Sequence, residues 1–265
     1  MANNITLDVS VDDADRKYRA PALEKGLDIL ELLARHGAPM TTSQMAVTLG
    51  RSVSELFRMV LALEFRGYIE SSSDGREGYK LTNKLFTLGI AQGSTRSLLE
   101  IALPVMKDLA YELGQSCHLV VPSGDQIVVV GRIESPMDLG FSVRVGYRRR
   151  LVETNSGKLL FGLAPVETRS SWLSHLRATA DEETIERFLK SAKVAADMGY
   201  VQSTSDFVEG VVDISVPILG MSGAAAVLNV PFISIKSQEV TYDQVIDRLK
   251  YSTRKIAEAL SNEGR

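Results

Sequence analysis

Residues 49–69 read LGRSVSELFRMVLALEFRGYI, and this segment decides the fold of the N-terminal part of the chain. Ser52 precedes Glu55 by three residues, which is the spacing of a capping box, where each side chain bonds the backbone amide of the other residue. Ser54 and Arg58 are four residues apart, so they share one outward edge of the predicted helix. The predicted inward face consists of the apolar residues at helical spacing: Val53, Leu56, Phe57, Val60 and Leu61.

Two preceding segments place this helix in a larger unit. Residues 21–37, PALEKGLDILELLARHG, predict a helix that ends at His36-Gly37. Its predicted apolar stripe is Leu23, Leu27, Leu30 and Leu33 or Ala34. Residues 41–50, TTSQMAVTLG, predict a second helix with a capping box at Thr41 and Gln44 and a left-handed end at Gly50. Two helices joined at a glycine form the helix-turn-helix layout.

The segment that follows Gly67 predicts a β-hairpin. Residues 68–82, YIESSSDGREGYKLT, have the pattern of a strand, a polar turn and a second strand, with the turn at Asp74-Gly75. A hairpin directly after the second helix is the arrangement of a winged helix-turn-helix domain. The tip of the predicted wing carries Arg76.

The start of the second helix is the predicted DNA-reading edge, because these turns enter the major groove in helix-turn-helix proteins. Arg58 can bond a guanine edge or a phosphate, and Ser52 and Ser54 can bond phosphates. Glu55 either caps the helix or reads a cytosine, and the complete box spacing favours the cap. The alternative for the segment is an ordinary surface helix with a capped start. The candidate DNA-contacting residues are Thr42, Ser43, Ser52, Ser54, Glu55, Arg58 and Arg76.

Composition indicates a globular protein and limits how it can bind DNA. The chain has 265 residues, 45% of them hydrophobic and 24% charged, enough for two ordinary domains. The formal net charge is -3, and residues 20–90 contain eight Lys plus Arg and eight Asp plus Glu. A general basic coat is therefore absent, and DNA binding would depend on a small local face.

Targeting signals and cysteine usage indicate the compartment. No apolar run approaches the roughly 20 residues that span a bilayer. The N-terminal residues lack a basic start followed by an apolar block, so no secretory signal is predicted. The single cysteine, Cys117, excludes an internal disulfide and is typical of a reducing cytoplasm. We therefore expect a cytoplasmic protein with no membrane partner.

From about Ser94 the pattern becomes that of an α+β domain. Residues 94–114 predict an amphipathic connecting helix, kinked at Pro104. The predicted strands are CHLVV (117–121), QIVVVGRI (126–133), LGFSVRV (139–145), VVDISVPIL (211–219) and AAAVLNVPF (224–232). Further helices are predicted over 156–163, 165–177, 181–198 and about 238–260. The predicted organisation is a disordered tail (1–19), a winged helix-turn-helix domain (20–90), a linker helix (91–114) and a second domain (115–265).

Motifs that would indicate an enzyme are incomplete. The residues Asn155-Ser156-Gly157-Lys158 resemble the end of a phosphate-binding loop, but two defining positions of that pattern do not match. The three histidines lack metal-ligand spacing. Cys117 and His118 are adjacent on a predicted strand and therefore point to opposite faces, which excludes a nucleophile-base pair. No catalytic residue, cofactor or metal is predicted.

The ordered segments ALEKGLDILELLA, FRMVLALEFRGYI and GYKLTNKLFTLG resemble the N-terminal half of the IclR (isocitrate lyase regulator) family. VGYRRRLVETNSGKLLFG, VVDISVPIL and GAAAVLNV resemble its effector-binding domain. The resemblance implies a winged helix-turn-helix, a linker helix and a GAF-like ligand domain. It also implies homodimers or dimers of dimers that bind operator DNA of metabolic operons. Glu55 stands where family members commonly have threonine, which affects the inherited base contacts.

The resemblance also implies where a small-molecule effector binds. The implied contacts are Met137, Leu139, Phe141, Asn155, Ser156, Asp213 and Asn229, with Pro231 beyond. At Asp213 many relatives have a cysteine or small residue, and an ionised carboxylate repels acids but accepts hydrogen bonds from hydroxyls. A sugar, sugar lactone or sugar acid is therefore favoured over a dicarboxylate. The alternative is that Asp213 pairs with Arg132 or Arg144, which would restore compatibility with acids.

Three functional classes follow from these patterns. The leading hypothesis is a transcription factor whose operator affinity depends on a bound metabolite. The rivals are a small-molecule sensor without a DNA role and an enzyme that turns its ligand over. The arginine run 148–150 is interpreted as a solvated loop, with a basic patch for nucleic acid as the alternative.

Overall fold

The computed structural model describes residues 20–72, 77–90, 94–205, 207–234 and 240–263. The chain divides into two compact units, residues 1–92 and 93–265. The helices are α1 (Pro21–His36), α2 (Thr42–Leu49), α3 (Val53–Phe65), α4 (Lys84–Ile90), α5 (Ser94–Leu113), α6 (Asn155–Leu163), α7 (Val166–Thr179), α8 (Glu182–Met198) and α9 (Tyr242–Glu263). The strands are β1 (Ile69–Ser71), β2 (Tyr79–Leu81), β3 (Cys117–Ser123), β4 (Gln126–Ile133), β5 (Arg148–Arg150), β6 (Val201–Thr204), β7 (Val211–Gly220) and β8 (Gly223–Ile233).

The first unit packs α1, α2 and α3 around one small core. α1 has Pro21 in its first turn and ends at Gly37, which adopts a φ of 68°. The predicted stripe on α1 is wrong in its first half, because Leu23 and Leu27 are exposed. The buried residues of α1 are Gly26, Ile29, Leu30, Leu32 and Leu33. The inward face is therefore rotated relative to the prediction.

The helix that decides the fold, α3, is also rotated from its predicted orientation. Leu56 and Val60 are fully buried, and Met59 and Leu63 pack against the same core. Val53, Phe57 and Leu61, predicted to face inward, are exposed, with 52% of Phe57 accessible. Burying a side chain such as Leu56 contributes about 2 kcal/mol, so the core residues set the orientation of the helix. The start of α3 still projects outward.

The predicted hairpin is present, with β1 and β2 paired antiparallel from Ile69 opposite Leu81 to Ser71 opposite Tyr79. Its predicted turn at Asp74-Gly75 lies outside the described residues. The backbone of Met40 pairs with Tyr79, which ties the α1–α2 connection to the hairpin. A β-carbon at Gly78 would lie 2.5 Å from the Met40 carbonyl carbon, so this close approach requires glycine. The hairpin completes the winged helix-turn-helix.

The second unit is built on a six-stranded sheet in the order β5-β4-β3-β8-β7-β6. All neighbouring strands in it are antiparallel. One face packs on α5 and α9, where buried residues include Leu109, Leu228 and Leu249. The opposite face packs on α6, α7 and α8 through residues such as Leu160 and Phe188. The mixed α+β architecture agrees with the predicted fold class.

Helix α5 was predicted as a linker, yet it contributes to the core of the second unit. Ala102, Met106 and Leu109 are buried there, and α5 contacts β4 and α9. Pro104 lies inside the continuous helix α5. The helix therefore belongs structurally to the sheet that follows it.

Two features of the sheet edges differ from the predictions. Residues 139–145 do not form the predicted strand, and the edge strand β5 instead comprises Arg148–Arg150, within the run interpreted as a solvated loop. The other edge strand, β6, was not predicted. The Arg149 guanidinium stacks 4.8 Å from the centroid of Phe207, which follows β6. Since β5 and β6 are opposite edges, this contact shows that the sheet curls around the α6 face.

Helix α6 approaches the backbone of the preceding segment very closely. A β-carbon at Gly157 would lie 2.1 Å from the carbonyl oxygen of Leu151. Any side chain at Gly157 would push the helix away from the short 3-10 helix Leu151–Glu153. Glycine at this position therefore fixes where the first turn of α6 meets the sheet.

Candidate functional site

The start of α3 is held by the predicted capping box. The Ser52 hydroxyl accepts a hydrogen bond from the Glu55 amide at 3.3 Å, and Glu55 Oε2 accepts one from the Ser52 amide at 3.0 Å. A second box at the start of α2 links Thr41 and Gln44 in the same way. Gly50 between the two helices has a φ of 63° and ends α2 in the left-handed conformation. The helix-turn-helix is therefore fixed by local hydrogen bonds at both helix starts.

Glu55 is bound within the protein by both of its carboxylate oxygens. Oε1 accepts a hydrogen bond from Lys25 Nζ at 2.9 Å, and Oε2 accepts from the amide and hydroxyl of Ser52. The Ser52 amide first, and then the Lys25 ammonium, lower the pKa of the Glu55 carboxyl to about 2. The carboxylate is thus the cap of α3 and an anchor to α1, as its spacing favoured.

Ser54 and Arg58 lie on the exposed edge of the first two turns of α3, as predicted. They border a shallow hollow of about 490 Å³ between the starts of α1 and α3. The residues around it are Pro21, Ala22, Lys25, Ser54, Glu55, Arg58 and Met59. Two of these residues are cations, Lys25 and Arg58. The charge of Lys25 is neutralised by its ion pair with Glu55, whereas Arg58 does not share that pair.

The remaining predicted DNA contacts occupy different positions. Thr42 and Ser43 begin α2, where Ser43 is exposed and Thr42 is half-buried. Ser52 is exposed, but its hydroxyl is shared among Glu55 and Ser54, which lies 3.2 Å away. Arg76 falls outside the described residues. Ser43, Ser54 and Arg58 are therefore the exposed members of the described set that lie outside the Ser52–Glu55 capping box.

In the second unit, four predicted effector residues lie on one side of the sheet. Asn229 on β8 and Asp213 on β7 are on the face that packs on α6, because their neighbours Leu228 and Ile214 pack in the opposite core. Asn155 and Ser156 form the first turn of α6 on this face. The sequence positions are far apart, and the sheet register brings them together.

A buried hydrogen-bond network joins α6 to the two central strands. The Asn229 amide nitrogen donates to the Ser156 hydroxyl at 2.9 Å, and the Ser215 hydroxyl donates to Asn229 Oδ1. Ser156, Ser215 and Asn229 are all buried. Buried polar groups are costly when unpaired, so this network fixes the orientation of the Asn229 amide. The three side chains form a rigid and uncharged polar wall.

A second set of contacts holds the outer part of the α6 start. Asn155 donates to the Ser203 hydroxyl at 2.6 Å and accepts a hydrogen bond from Lys158 Nζ at 2.8 Å. The Thr154 hydroxyl caps the helix by accepting from the Gly157 amide at 3.0 Å. The Gly157 amide at this helix start is therefore satisfied by Thr154.

Met137, Leu139 and Phe141, the apolar residues among the implied effector contacts, are less buried than the polar wall. Met137 and Leu139 are exposed in the segment between β4 and β5. Phe141 is half-buried, and Val143, two residues on, packs against the core on the α6 face. Arg132, proposed as an alternative partner of Asp213, forms an ion pair with Glu134 at 2.8 Å. Of the apolar residues predicted here, Phe141 is the one with substantial burial.

Cys117 and His118 have the opposite orientations that strand alternation predicted. Cys117 faces α5, its thiol donates to the Met106 carbonyl at 3.4 Å, and burial raises its pKa to about 12. His118 faces the α6 side, opposite Asn229 on β8. Burial lowers the pKa of His118 to about 4, so its imidazole is neutral at pH 7.

Sequence reasoning missed His118, Ser203 and Ser215 as members of this site. Ser215 follows Asp213 by two residues on one strand, so the alternation of side chains already indicated a shared face. Ser203 lies on the short polar strand β6, which lacks an apolar alternation. His118 joins the site through the pairing of β3 with β8, and single-strand patterns contain no information on that register.

Within the described ranges, no group of three or more His, Cys, Asp or Glu side chains is arranged to hold a metal ion. The helices in the same part of the chain include none long and apolar enough to cross a membrane.

The fold defines the class of the protein: a helix-turn-helix regulator with a second, curled-sheet unit. Comparison with known families identifies it further. Residues 22–73 match the IclR helix-turn-helix domain, and residues 92–262 match the bacterial transcriptional regulator IclR C-terminal domain. The chain therefore belongs to the IclR family of transcriptional regulators.

Individual relatives are distant but span nearly the full length. The HTH-type transcriptional repressor AllR of Escherichia coli K12 is 25% identical over 248 residues, covering 91% of this chain and 90% of the relative. The regulator KdgR of Dickeya chrysanthemi is 24% identical over 264 residues, covering 97% and 86%. The crystal structure of an IclR homolog complexed with 4-hydroxybenzoate, from Microbacterium hydrocarbonoxydans, superposes with a TM-score of 0.73 at 20% identity, covering 91% of this chain and 99% of that one. The structural likeness establishes the fold.

Proposed function

We propose that this protein is a sequence-specific regulator of a metabolic operon, which binds operator DNA as a homodimer or dimer of dimers and responds to a small polar metabolite in its second unit. The observation that carries the proposal is the exposed start of α3. Ser54 and Arg58 project there from a helix whose cap is satisfied internally by Ser52 and Glu55. A preorganised edge of this kind suits the major groove.

The charge distribution supports local rather than general attraction to DNA. The formal net charge is -3, so affinity cannot come from a broad basic surface. The Lys25–Glu55 pair neutralises one cation beside the edge, which leaves Arg58 as the main positive group there. Binding that depends on one arginine and a few hydroxyls is expected to depend strongly on base sequence.

The chemistry of the second unit supports a polyhydroxylated effector, meaning a sugar, sugar lactone or sugar acid. The residues at the start of α6 offer hydroxyls and amides, which pair with hydroxyl groups of a ligand. Asp213 on the same face adds an acceptor for hydroxyl groups. The homologue crystallised with 4-hydroxybenzoate represents the rival class, aromatic or aliphatic acids.

Regulation requires that the effector bind one DNA-binding state better than the other. The Asn155–Ser203 and Ser156–Asn229 contacts couple the start of α6 to the sheet, so a ligand bonded there would alter the position of that helix. The operator affinity then changes by the ratio of the ligand affinities of the two states.

The test is a fluorescence anisotropy titration of the full chain against DNA from upstream of its own gene, with and without a panel of sugars, lactones and acids. We expect one segment to bind well above non-specific competitor DNA and one metabolite to change that affinity. Binding no tighter than competitor at every segment would overturn the DNA role. The alternative function, a sensor without a DNA role, would be supported if a metabolite bound the protein although no DNA segment bound more tightly than competitor.

A further inference from the structure

His118 lies beside the polar wall of Ser156, Ser215 and Asn229 but has no role in its hydrogen-bond network. In the pairing of β3 with β8, His118 is directly opposite Asn229, and Asn229 is directly opposite Ser215 on β7. Side chains opposite each other in an antiparallel pair are about 5 Å apart at their β-carbons. His118, Asn229 and Ser215 therefore form one row across three adjacent strands, with Ser156 above it.

The imidazole of His118 has an unused hydrogen-bonding atom. Nδ1 is buried and makes no hydrogen bond to any described residue. A buried polar atom without a partner costs about 1–3 kcal/mol, and a ligand group that hydrogen-bonds the atom recovers this cost. The neutral ring can offer Nδ1 as a donor or as an acceptor. An effector that reaches the Asn229 amide also comes within reach of this atom.

The groups around this row favour an uncharged partner. Ser156, Ser215 and Asn229 are neutral, and burial keeps the His118 ring neutral as well. The cations nearest this row bond other groups: Arg132, opposite His118 on β4, pairs with Glu134 at 2.8 Å, and Lys158 donates to the amide oxygen of Asn155. A carboxylate bonded directly to His118, Asn229 and Ser215 would exchange its hydration for contacts with neutral side chains. A hydroxyl or carbonyl group would satisfy Nδ1 at little cost.

We infer that His118 is a specificity-determining residue that hydrogen-bonds an uncharged hydroxyl or carbonyl group of the effector beside Ser156 and Asn229. The inference rests on the proposed function in that it places the effector on the α6 face of the second unit. The effector group that lies beside His118 is then uncharged, and the His118 side chain determines whether a neutral or an acidic ligand is preferred.

The test uses isothermal calorimetry on the full chain without DNA. The probes are aldoses and aldonolactones on one side, and on the other the aldonates and aldarates with the same carbon chains, together with short dicarboxylates. Each probe is titrated into the wild type, His118→Phe, His118→Asn and His175→Phe. His175 is an exposed histidine of α7 whose ring bonds the Ser171 carbonyl, so its variant is a matched control.

We expect a neutral sugar or lactone to bind more tightly than its matched acid. His118→Phe should weaken that binding about five- to tenfold, the value of one hydrogen bond, while His175→Phe leaves it unchanged. His118→Asn, which keeps a polar atom, should restore part of the loss. Binding confined to acids, binding by none of the probes, or equal binding by wild type and a folded His118→Phe would overturn the inference. Since DNA is absent, these outcomes are independent of operator binding.

Discussion

The starts of α3 and α6 are built alike but serve opposite environments. In each helix, a capping hydroxyl accepts a hydrogen bond from the backbone amide three residues later. Ser52 accepts from Glu55 in α3, and Thr154 accepts from Gly157 in α6. Around α3 the polar residues are exposed, whereas Ser156 in α6 is buried against Asn229. An exposed capped start can present side chains to a large rigid partner, and a buried one can select a small ligand by excluding water. The surroundings of the helix, rather than its local sequence, set its chemical task.

The largest expected effect concerns the close approach of the first turn of α6 to the Leu151 backbone. Gly157→Ala would place a β-carbon 2.1 Å from the Leu151 carbonyl oxygen, and we expect the second unit to lose about 3 kcal/mol of unfolding free energy. The ring centroid of Trp172, the only tryptophan in the chain, lies 6.5 Å from that of Phe161 in α6. Trp172 fluorescence therefore reports on the unfolding of this unit in urea.

The matched control is Gly26→Ala in α1, where a β-carbon would meet no atom within 4 Å. This variant should stabilise the first unit by about 1 kcal/mol, because alanine favours the helix more than glycine does. Differential scanning calorimetry of the full chain identifies the affected transition. Equal effects of the two substitutions would contradict the packing difference between the units.

The next effect follows from the burial of His118 on the α6 face. Its pKa falls from 6.5 to about 4 on folding, so between these values the unfolded chain binds a proton that the folded chain does not. The unfolding free energy of the second unit should therefore decrease as pH falls through this window, by up to about 3 kcal/mol, and be fully retained above pH 6.5. Urea unfolding followed at Trp172 at several pH values measures it. His118→Phe should remove this part of the pH dependence, and an unchanged slope would refute the assignment.

The third effect tests the exposed edge of α3. Arg58→Ala should weaken operator binding by about 1–3 kcal/mol, or roughly ten- to a hundredfold, through the loss of a guanine or phosphate contact. Anisotropy titrations at constant salt measure it. The control is Arg35→Ala, at the end of α1, where Arg35 lies 3.8 Å from Glu31. Equal affinities of the two variants would show that Arg58 does not contact the operator.

The smallest effect comes from the cap of α3. Glu55→Gln keeps an acceptor for the Ser52 amide but removes the charge that Lys25 neutralises. Because the folded pKa of Glu55 is lowered from 4.5 to about 2, its contribution to stability is present above pH 4.5 and lost as pH falls towards 2. The calorimetric transition that Gly26→Ala shifts should show this loss in the wild type, and the Gln variant should lack it.

Features fixed by neighbouring residues were predictable from the sequence. Both capping boxes, the left-handed Gly50 and the pairing of β1 with β2 follow from residues a few positions apart. The buried face of α3 was not predictable in the same way, because apolar residues occur around much of the helix. Contacts with α1 and α2 decided that Met59 is half-buried and Phe57 is exposed.

The polar residues on the α6 face of the second unit were also only partly predictable from the sequence. Asn155, Ser156, Asp213 and Asn229 were placed through family resemblance, and the structure brings them to one side of the sheet. His118 required the register of β3 against β8, which arises from long-range pairing. The strand predicted at 139–145 failed because alternation indicates a strand only where a partner edge is available, and β4 pairs with Arg148–Arg150 instead.

The buried thiol of Cys117 has a practical consequence for site-specific labelling of the protein. Its thiolate is scarcely formed at neutral pH, and its sulfur is enclosed by the α5 core, so thiol reagents should leave it unmodified in the native protein. A cysteine introduced at Ser54 can then carry a fluorophore or spin label while Cys117 remains in place. The slow rate at which Cys117 itself is labelled then measures the rate of global opening of the second unit.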